Sequence, residues 1–389
     1  HDTRRSDQSL INDVVWSILC DADGKTWLGT NEGISVCQEQ DQSAFIPISA
    51  IADNGKGNHF YQILIDRQRN LWLGGSDGLI KTSKSLNGAT WYGVDTPNTF
   101  ITHNRIRRIY EDREGDLWIC TDGGLHLWEK ERWRPIQLID ANSGRNAEWA
   151  YDIYEDRSGR MWVAGYFSGL LVVDKQKLVH AQDVCQADFN IILPDGKGLK
   201  PYQIAEDRQG MLWVLYSDAG LRVINPKTKN AEVPHDIEKA MAGETPHSIY
   251  ADKQHRIWIG LQKKVICVDP SISVYSFDYL SEGGFNWMAE VGSAIWIGTR
   301  DGIFSVEDNS IKHLCSFERV IDAFYYDEKE NDIFLGSVDG VFSGKPEQFQ
   351  KSHHRHPIIL TGVYVDNKIK QGFDISSDMV FEPEERHII

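Results

Sequence analysis

The stretch IYEDREGDLWICTDGGL, residues 109–125, contains the pattern that decides the fold. Apolar and aromatic residues form short runs, and Asp and Gly separate these runs. Short apolar runs bounded by Asp and Gly are typical of β-strands joined by tight turns. The apolar residues do not show the spacing of an amphipathic helix. The stretch therefore predicts three strands joined by two turns.

The same pattern recurs along the chain and is most easily followed through a tryptophan, which we call the anchor. A repeat that contains several short strands and returns every 38 to 51 residues is typical of a β-propeller. The sequence therefore predicts an all-β fold, a β-propeller of four-stranded antiparallel blades with eight repeat motifs and either eight or seven blades. The anchors are Trp27, Trp72, Trp118, Trp162, Trp213, Trp258, Trp296 and, in the eighth copy, Phe334.

An acidic residue precedes each anchor, by six residues in seven copies and by seven in the eighth. Its carboxylate can accept hydrogen bonds from the backbone of the turn that follows, where several copies carry glycine. We therefore interpret these acids as turn residues, and the anchors as core between neighbouring blades. The acids are Asp21, Asp66, Asp112, Asp156, Asp207, Asp252, Glu290 and Asp327.

The composition limits the classes of partner. A formal net charge of −16 argues against nonspecific binding of nucleic acid and of anionic membranes. The sequence contains no apolar run of membrane-spanning length and no recognisable signal peptide. Six scattered cysteines form no Cys-x-x-Cys pair, which favours small core residues over metal ligands.

The repeats also divide the chain. Residues 1–10 are a polar lead-in, and residues 11–352 form the predicted propeller, with one short helix expected near residues 237–242. The repeat pattern stops at residue 353, and the segment 358–368 predicts a strand followed by a turn. The segment after residue 352 is too short to fold by itself.

Chemically varied side chains near the start of each inner strand are the candidate ligand site. They alternate with a regularly apolar position, as expected where the core meets the central channel. Aromatic and polar groups around a channel mouth can stack on sugars and bind their hydroxyls. The alternative is that these side chains pack against loops and solvent. The candidates are Trp16, Tyr61, Arg107, Arg108, Tyr151, Tyr202, His247 and Asn286.

No residue set predicts catalysis, a cofactor or a metal site. Carboxylates paired for glycoside cleavage cannot be distinguished from the turn acids. The segment from Asp21 to Trp27 resembles the Asp-box hairpin of sialidases, which is structural in those enzymes. The histidines of residues 353–356 could bind a transition metal, but their position in a polar segment favours a solvated linker.

The repeated unit IYEDRxGxLWIGTxxGL resembles the two-component regulator propeller repeat, over residues 11 to about 350. Residues 353–389 resemble a linker and the incomplete start of the Ig-like domain, named for its three tyrosines, that follows such propellers. The resemblance implies the periplasmic or extracellular sensor of an inner-membrane receptor with a histidine kinase, hybrid kinase or diguanylate cyclase output. Carbohydrates are frequent ligands in this family, whose sensors commonly carry two seven-bladed propellers.

We therefore expect a non-enzymatic sensor for a small molecule or an oligosaccharide. We also expect a homodimer through the C-terminal sandwich, no nucleic-acid partner, and membrane contact only through segments outside this chain. The alternatives are a propeller enzyme acting on polysaccharide and a propeller scaffold for protein interactions. Hydrolysis of glycans by the pure fragment would favour the first alternative, and tight peptide binding would favour the second.

Overall fold

A computed structural model describes residues 58–349, apart from 87, 98–99, 194–196, 278–284, 308–309, 318–319 and 339. It also describes residue 51, and it describes the strands at 15–20, 25–30, 33–38, 44–47, 363–365 and 368–370. The predicted lead-in, the histidines of 353–356 and most of the segment expected to begin an Ig-like domain lie outside the described residues.

The first repeat forms a sheet of its own. Its three antiparallel strands pair in the order β1–β2–β3, and they are Val15–Cys20, Lys25–Thr30 and Gly33–Gln38. The next strand, β4 at Ala44–Pro47, does not join this sheet. A repeat that the sequence places inside the propeller is therefore divided between two sheets.

The next repeats form blades 1 to 4, each with strands in up-and-down order. Blade 1 consists of β5 Phe60–Ile65, β6 Leu71–Gly75, β7 Gly78–Thr82 and β8 Thr90–Tyr92. Blade 2 consists of β9 Ile106–Glu111, β10 Leu117–Thr121, β11 Gly124–Glu129 and β12 Arg132–Ile139. Blade 3 consists of β13 Ala150–Glu155, β14 Arg160–Gly165 and β15 Gly169–Asp174, and its fourth strand, β17 Phe189–Ile191, follows after an insertion. The insertion holds helix α1, Lys175–His180, and β16, Val184–Gln186, which extends blade 2 as a fifth strand parallel to β12. Blade 4 consists of β18 Pro201–Glu206, β19 Leu212–Tyr216, β20 Gly220–Ile224 and β21 Ala231–Glu232.

The remaining repeats form blades 5 to 7. Helix α2, His235–Met241, precedes blade 5 close to where the sequence predicts a helix. Blade 5 consists of β22 Ser248–Ala251, β23 Ile257–Gly260, β24 Lys264–Asp269 and β25 Ser271–Ser276, and blade 6 of β26 Phe285–Val291, β27 Ala294–Thr299, β28 Gly302–Glu307 and β29 Ser310–Cys315. Blade 7 begins with β30 Ala323–Asp327, β31 Asp332–Ser337 and β32 Gly340–Gly344, and a short 3₁₀ turn, Pro346–Phe349, follows it. A separate hairpin, β33 Val363–Val365 and β34 Lys368–Lys370, lies in the segment predicted to hold a strand and a turn.

Strand β4 closes the ring. It pairs antiparallel with β32, with Ile46 opposite Val341, and so supplies the fourth strand of blade 7. The inner strands contact one another in sequence from blade 1 to blade 7, and β30 of blade 7 contacts β5 of blade 1. Of the blade numbers that the sequence leaves open, seven is therefore correct, and a closed ring of eight is wrong.

The anchors form the packing between blades. Trp118 of blade 2 lies in one hydrophobic cluster with Ile153 and Val163 of blade 3. Each neighbouring pair of blades repeats this arrangement, including blades 7 and 1, where Phe334 is the anchor. The seven anchors of the ring are at most 3% exposed. The predicted role of these aromatic residues as inter-blade core is confirmed.

The turn acid explains the fixed spacing to the anchor. One carboxylate oxygen of Asp112 accepts the backbone N–H groups of Glu114, Gly115 and Asp116 at 2.9–3.0 Å. Its other oxygen accepts the indole N–H of Trp118 at 2.9 Å. The acid therefore closes the turn and orients the buried ring at the same time. Asp66, Asp156, Asp207 and Asp252 hold their own anchors in the same way.

The residues on either side of the turn acid tie neighbouring blades together. The side chain of Glu111 in blade 2 accepts the backbone N–H of Arg67 in blade 1 at 2.9 Å. In return, the Arg67 guanidinium donates to the carbonyl oxygens of Asp112 and Arg113. The same exchange joins blades 3 and 4, where the backbone N–H of Arg157 donates to Glu206 and its guanidinium donates to the carbonyl oxygens of Asp207 and Arg208. All three residues of the Glu-Asp-Arg motif therefore have structural roles.

Blade 6 departs from the predicted alignment of the acids. Glu290 was assigned as its turn acid, but Val291 occupies that position, opposite Ala294. The reason is a shorter turn, in which Gly292 takes a positive φ of 61°. Glu290 instead accepts the backbone N–H of Lys253 in blade 5 at 2.9 Å, which is the role of Glu111 in blade 2.

Asp327 gives the ring a predictable sensitivity to acid. Its buried carboxylate pairs with Arg69 and Lys84 of blade 1. Burial alone would raise the pKa of Asp327, but hydrogen bonds from Arg69 and Lys84 outweigh it and lower the pKa to about 2. A lowered pKa in the folded state stabilises the fold above the pKa of the unfolded chain, and this contribution is lost as the pH falls towards 2. We expect Asp327→Asn to cost about 2 kcal/mol at pH 6 and much less near pH 2, measured by urea unfolding across this range. A cost that does not change with pH would contradict this assignment.

Candidate functional site

A recurring β-bulge marks the start of the inner strands. In β5, β9, β13, β18 and β26 the register slips once, and one residue has no partner on the second strand. Bulges redirect a side chain away from the regular pleat of the sheet. The bulged residues belong to the set that the sequence predicts for the channel mouth, namely Tyr61, Arg107, Tyr151, Tyr202 and Asn286. Trp16 is the equivalent residue of β1 and thus lies in the separate first sheet.

Arg107 and Tyr151 are brought together across blades 2 and 3. The Arg107 guanidinium donates to both carboxylate oxygens of Asp122, at 2.6 and 3.1 Å. Its central carbon lies 4.2 Å from the centre of the Tyr151 ring, a cation–π distance. The ring of Tyr151 in turn stacks on Tyr166, with 5.0 Å between ring centres. Arg107 and Tyr151 therefore link the bulges of β9 and β13 to the neighbouring turns that carry Asp122 and Tyr166.

Arg108 and Tyr202 are engaged by neighbouring parts of the ring. The Nε of Arg108 lies 3.2 Å from the buried carboxylate of Asp152. The hydroxyl of Tyr202 donates to the carbonyl oxygen of Pro246 at 3.4 Å, and burial raises the pKa of this tyrosine to about 12.

The other candidates lie around the rest of the ring. Tyr61 packs on His59, which pairs with Asp322. The amide of Asn286 donates towards the same aspartate at 3.4 Å. His247 is exposed and precedes β22. Apart from Trp16, the predicted residues thus surround one end of the ring without converging on one point.

A cleft between blades 3 and 4 brings more groups together. Its volume is about 520 Å³, within the range of small-molecule sites. Its residues precede β13 and β18 or lie in the turns β14–β15 and β19–β20, so the cleft opens at the end of the ring that carries the bulges. We call this site the aromatic cleft. It is lined by Arg145, Asn146, Glu148, Trp149, Tyr166, Phe167, Leu199, Lys200 and Asp218.

Three aromatic rings form one wall of the aromatic cleft. Trp149 and Phe167 are 42% and 50% exposed, unlike the buried anchors. The ring centre of Phe167 lies 4.7 Å from that of Tyr166 and 5.7 Å from that of Trp149. Hydrogen bonds fix the backbone here, since Phe167 N–H donates to Leu199 and Tyr166 N–H donates to Trp149. The wall is therefore a preformed feature of the fold.

Two of these aromatic residues have strained backbones. Trp149 has a φ of 53° and Phe167 a φ of 85°. Bulky residues rarely adopt positive φ because Cβ then approaches the carbonyl oxygen, at a cost of about 1–2 kcal/mol. The cleft therefore keeps large rings at positions where glycine would be more stable.

Polar groups lie beside the aromatic wall. The Lys200 ammonium lies 5.6–5.7 Å from the ring centres of Phe167 and Tyr166, and the Arg145 guanidinium donates to the carbonyl oxygen of Phe167 at 3.1 Å. One side-chain oxygen of Asn146 and one of Asp218 are buried and accept no hydrogen bond from the described residues. Such acceptors are costly unless a donor reaches them.

None of these lining residues belongs to the set that the sequence predicts. The predicted positions lie in the inner strands, whereas the aromatic wall comes from the segments that connect strands. One signal was present: blade 3 carries Tyr166-Phe167 in the turn where blade 2 carries Asp122-Gly123. Two consecutive aromatic residues in a turn that elsewhere holds small polar residues indicate exposed rings.

A cluster of three carboxylates on blade 7 forms ion pairs with nearby cationic side chains. Carboxylate oxygens of Asp327, Glu330 and Asp332 lie within 4.8 Å of one another. Lys84 lies within 2.9 Å of an oxygen of all three, and Arg69 contacts the first two. Lys345 also contacts Asp332, so three cations balance the three carboxylates, and this group is a structural seam between blades 7 and 1.

Comparison with known proteins identifies the repeat. The family model "two component regulator propeller" matches residues 9–32, 101–123 and 144–167. Two solved structures of the extracellular domain of BT4673 from B. thetaiotaomicron, called a putative one component or hybrid two component system, are each 31% identical, with a TM-score of 0.74. They match 95% of this chain and 51% of their own chains.

A more distant structure supports the fold. The extracellular domain of the putative hybrid two component system BT3049, from the same organism, is 17% identical with a TM-score of 0.65 over 96% of this chain. This chain spans about half the length of these solved structures. No curated protein matches it in sequence. Within the described residues, no helix has the length and apolar character to cross a lipid bilayer.

Proposed function

Because the chain belongs to the two-component regulator propeller family, we propose that it is the ligand-sensing region, outside the cytoplasm, of a bacterial signal-transduction receptor. The observation that carries this proposal is the match of 95% of the chain, at 31% identity, to the extracellular domain of a putative hybrid two component system. In this proposal the region lies in the periplasm and acts on a cytoplasmic output domain, a histidine kinase or a diguanylate cyclase, in the full-length receptor.

The region is not an enzyme. The relatives that it matches are extracellular domains of signalling systems. Its repeated carboxylates close turns and hold indole rings, as Asp112 does for Trp118. A carboxylate that accepts several hydrogen bonds and lies buried is poorly placed to transfer protons to a substrate.

We propose a carbohydrate or another small polar ligand. Exposed aromatic rings beside cationic side chains, here Lys200 and Arg145, suit a molecule with both apolar faces and hydroxyl groups. The net charge of −16 disfavours polyanionic partners such as nucleic acid. A homodimer formed through the segment after residue 352 would transmit the binding event, in line with the interface rearrangements common in receptors.

Ligand binding should appear as a rise in thermal stability. A ligand present at 100 times its dissociation constant adds about 2.7 kcal/mol to the free energy of unfolding, which corresponds to several degrees in melting temperature. We expect at least one soluble oligosaccharide from plant or animal polysaccharides to produce such a shift in the purified chain. The reducing ends of the oligosaccharides, assayed after overnight incubation, should not increase. Release of new reducing ends would instead support an enzyme, and a shift only with peptides would support an interaction scaffold.

A further inference from the structure

We propose that the aromatic cleft, rather than the channel mouth, binds one pyranose residue of an oligosaccharide. This inference rests on the proposed sensing function and assigns its binding site. The sugar would stack on Phe167 and Trp149, and its hydroxyl groups would accept hydrogen bonds from Lys200 and Arg145.

The aromatic wall matches one face of a sugar ring. A pyranose presents C–H groups on its faces and hydroxyl groups around its edge, so it binds where an aromatic surface adjoins hydrogen-bonding groups. Phe167 and Trp149 are exposed and lie close together, while the hydrogen bond from Phe167 N–H to Leu199 holds the turn in place. Preorganised rings lose little side-chain entropy on binding, which favours them as anchors for a ligand.

Polar groups beside the wall complete this match. The Lys200 ammonium lies 5.6–5.7 Å from the ring centres of Phe167 and Tyr166, and the Arg145 guanidinium donates to the carbonyl oxygen of Phe167. Sugar hydroxyls can accept hydrogen bonds from both cations at the edge of the stacked ring. The carboxylate of Asp218 accepts the backbone N–H groups of Gly198 and Leu199, both at 3.2 Å, which holds this part of the lining in place.

The strained backbones of Trp149 and Phe167 agree with a binding role, although Phe100 has the same combination of exposed ring and positive φ outside the cleft. An exposed ring at positive φ contributes little core packing, yet it costs stability at both Trp149 and Phe167. Strain of this kind is concentrated at binding sites, where it persists because the surrounding structure enforces it. The channel candidates are less available to a ligand, because the polar groups of Arg107, Arg108 and Tyr202 already contact other groups of the ring.

The test compares two substitutions that relieve the same backbone strain. Phe167→Gly removes a ring of the aromatic cleft, whereas Phe100→Gly removes a ring that is 51% exposed, has a φ of 57° and does not line the cleft. The probes are xylohexaose, mannohexaose, cellohexaose and a galacturonic acid hexamer. Each is titrated calorimetrically into the full chain, and melting temperature is recorded for every variant.

We expect at least one probe to bind and Phe167→Gly to weaken its binding by roughly tenfold or more, as for a central aromatic contact. Phe100→Gly should leave binding within about twofold. Neither variant should melt below the parent chain, because glycine suits the left-handed backbone. A second variant, Trp149→Gly, should weaken binding in the same way.

Three results would overturn the inference in distinguishable ways. Unchanged binding of a probe to Phe167→Gly and Trp149→Gly would exclude the aromatic cleft while leaving the sensing function intact. Failure of every probe to bind the correctly folded parent chain would contradict both the cleft as a sugar site and the proposed carbohydrate ligand. A melting temperature for Phe167→Gly well below that of Phe100→Gly would show that the ring is structural.

Discussion

Replacing Asp156 by alanine is expected to destabilise the ring by about 3–5 kcal/mol, close to the cost of leaving buried polar groups without their charged partner. Its carboxylate accepts the backbone N–H groups of Ser158 and Arg160 and the indole N–H of Trp162, the last at 2.8 Å. The side chain is 2% exposed, so water cannot replace these bonds without opening the seam between blades 3 and 4. Chemical denaturation, followed by far-UV circular dichroism, measures the cost.

The matched control is Asp183→Ala. Asp183 is exposed, and substitutions at such surface positions usually change stability by less than about 0.5 kcal/mol. The loss of stability in Asp156→Asn should lie between those of the two alanine variants. The amide keeps one acceptor oxygen, but its N–H groups point towards other donors. Equal stability of Asp156→Ala and Asp183→Ala would contradict the assignment of the repeated acids as structural groups.

A chain that begins at residue 49 is expected to melt roughly 5–10 °C below one that begins at residue 39. Both lack the separate sheet β1–β3, but only the shorter chain lacks β4, which pairs with β32 over four residues. Each lost backbone hydrogen bond costs about 1 kcal/mol, and the uncovered edge of β32 becomes a site for aggregation. Differential scanning calorimetry of both chains measures the difference.

The longer chain is the control for the shorter one, because the two differ only in residues 39–48, which include the strand β4. Adding a peptide of residues 41–50 to the shorter chain should restore part of its stability, since the free edge of blade 7 remains available. Identical melting of the two chains would mean that β4 does not close the ring. A large loss on removing residues 1–38 alone would mean that β1–β3 is integral to the ring.

The repeat made the blade predictable from the sequence. Trp118 and its equivalents recur at regular intervals and are buried, as expected of core residues that every blade must supply. The turn acids recur for the same reason, although their hydrogen bond to the indole N–H was not foreseen. Among the repeats whose turns the structure describes, the alignment is wrong at Glu290, where the turn is shorter and a glutamate that ties two blades resembles a turn acid.

Ring closure could not be deduced from the motif count. The first repeat carries an anchor, Trp27, yet its outer strand β4 leaves the repeat to pair with β32, about 300 residues away in the chain. Outer strands are short and weakly patterned, so nothing in the residues 44–47 indicates their partner. Closure depends on which sheet presents a free edge, and this is a property of the whole ring.

The candidate site was predicted only in part. The inner-strand positions do form a set, because bulges place Tyr61, Arg107, Tyr151, Tyr202 and Asn286 at one end of the ring. Whether a side chain at such a position is free depends on its neighbours, as the pairing of Arg107 with Asp122 illustrates. The aromatic cleft does not follow from the repeat because four segments, distant in sequence, build it.

Hydrogen exchange of the indole N–H groups shows whether the anchor tryptophans are packed between blades or face solvent. Five anchors, at 72, 118, 162, 213 and 258, donate this hydrogen to a buried aspartate, whereas Trp149 is exposed at the cleft. In a ¹⁵N spectrum recorded after transfer to D₂O, the five anchor signals should persist until the blades separate, and that of Trp149 should vanish at once. Rapid loss of the anchor signals in the folded protein would show that these rings face solvent, which would contradict their role as packing between blades.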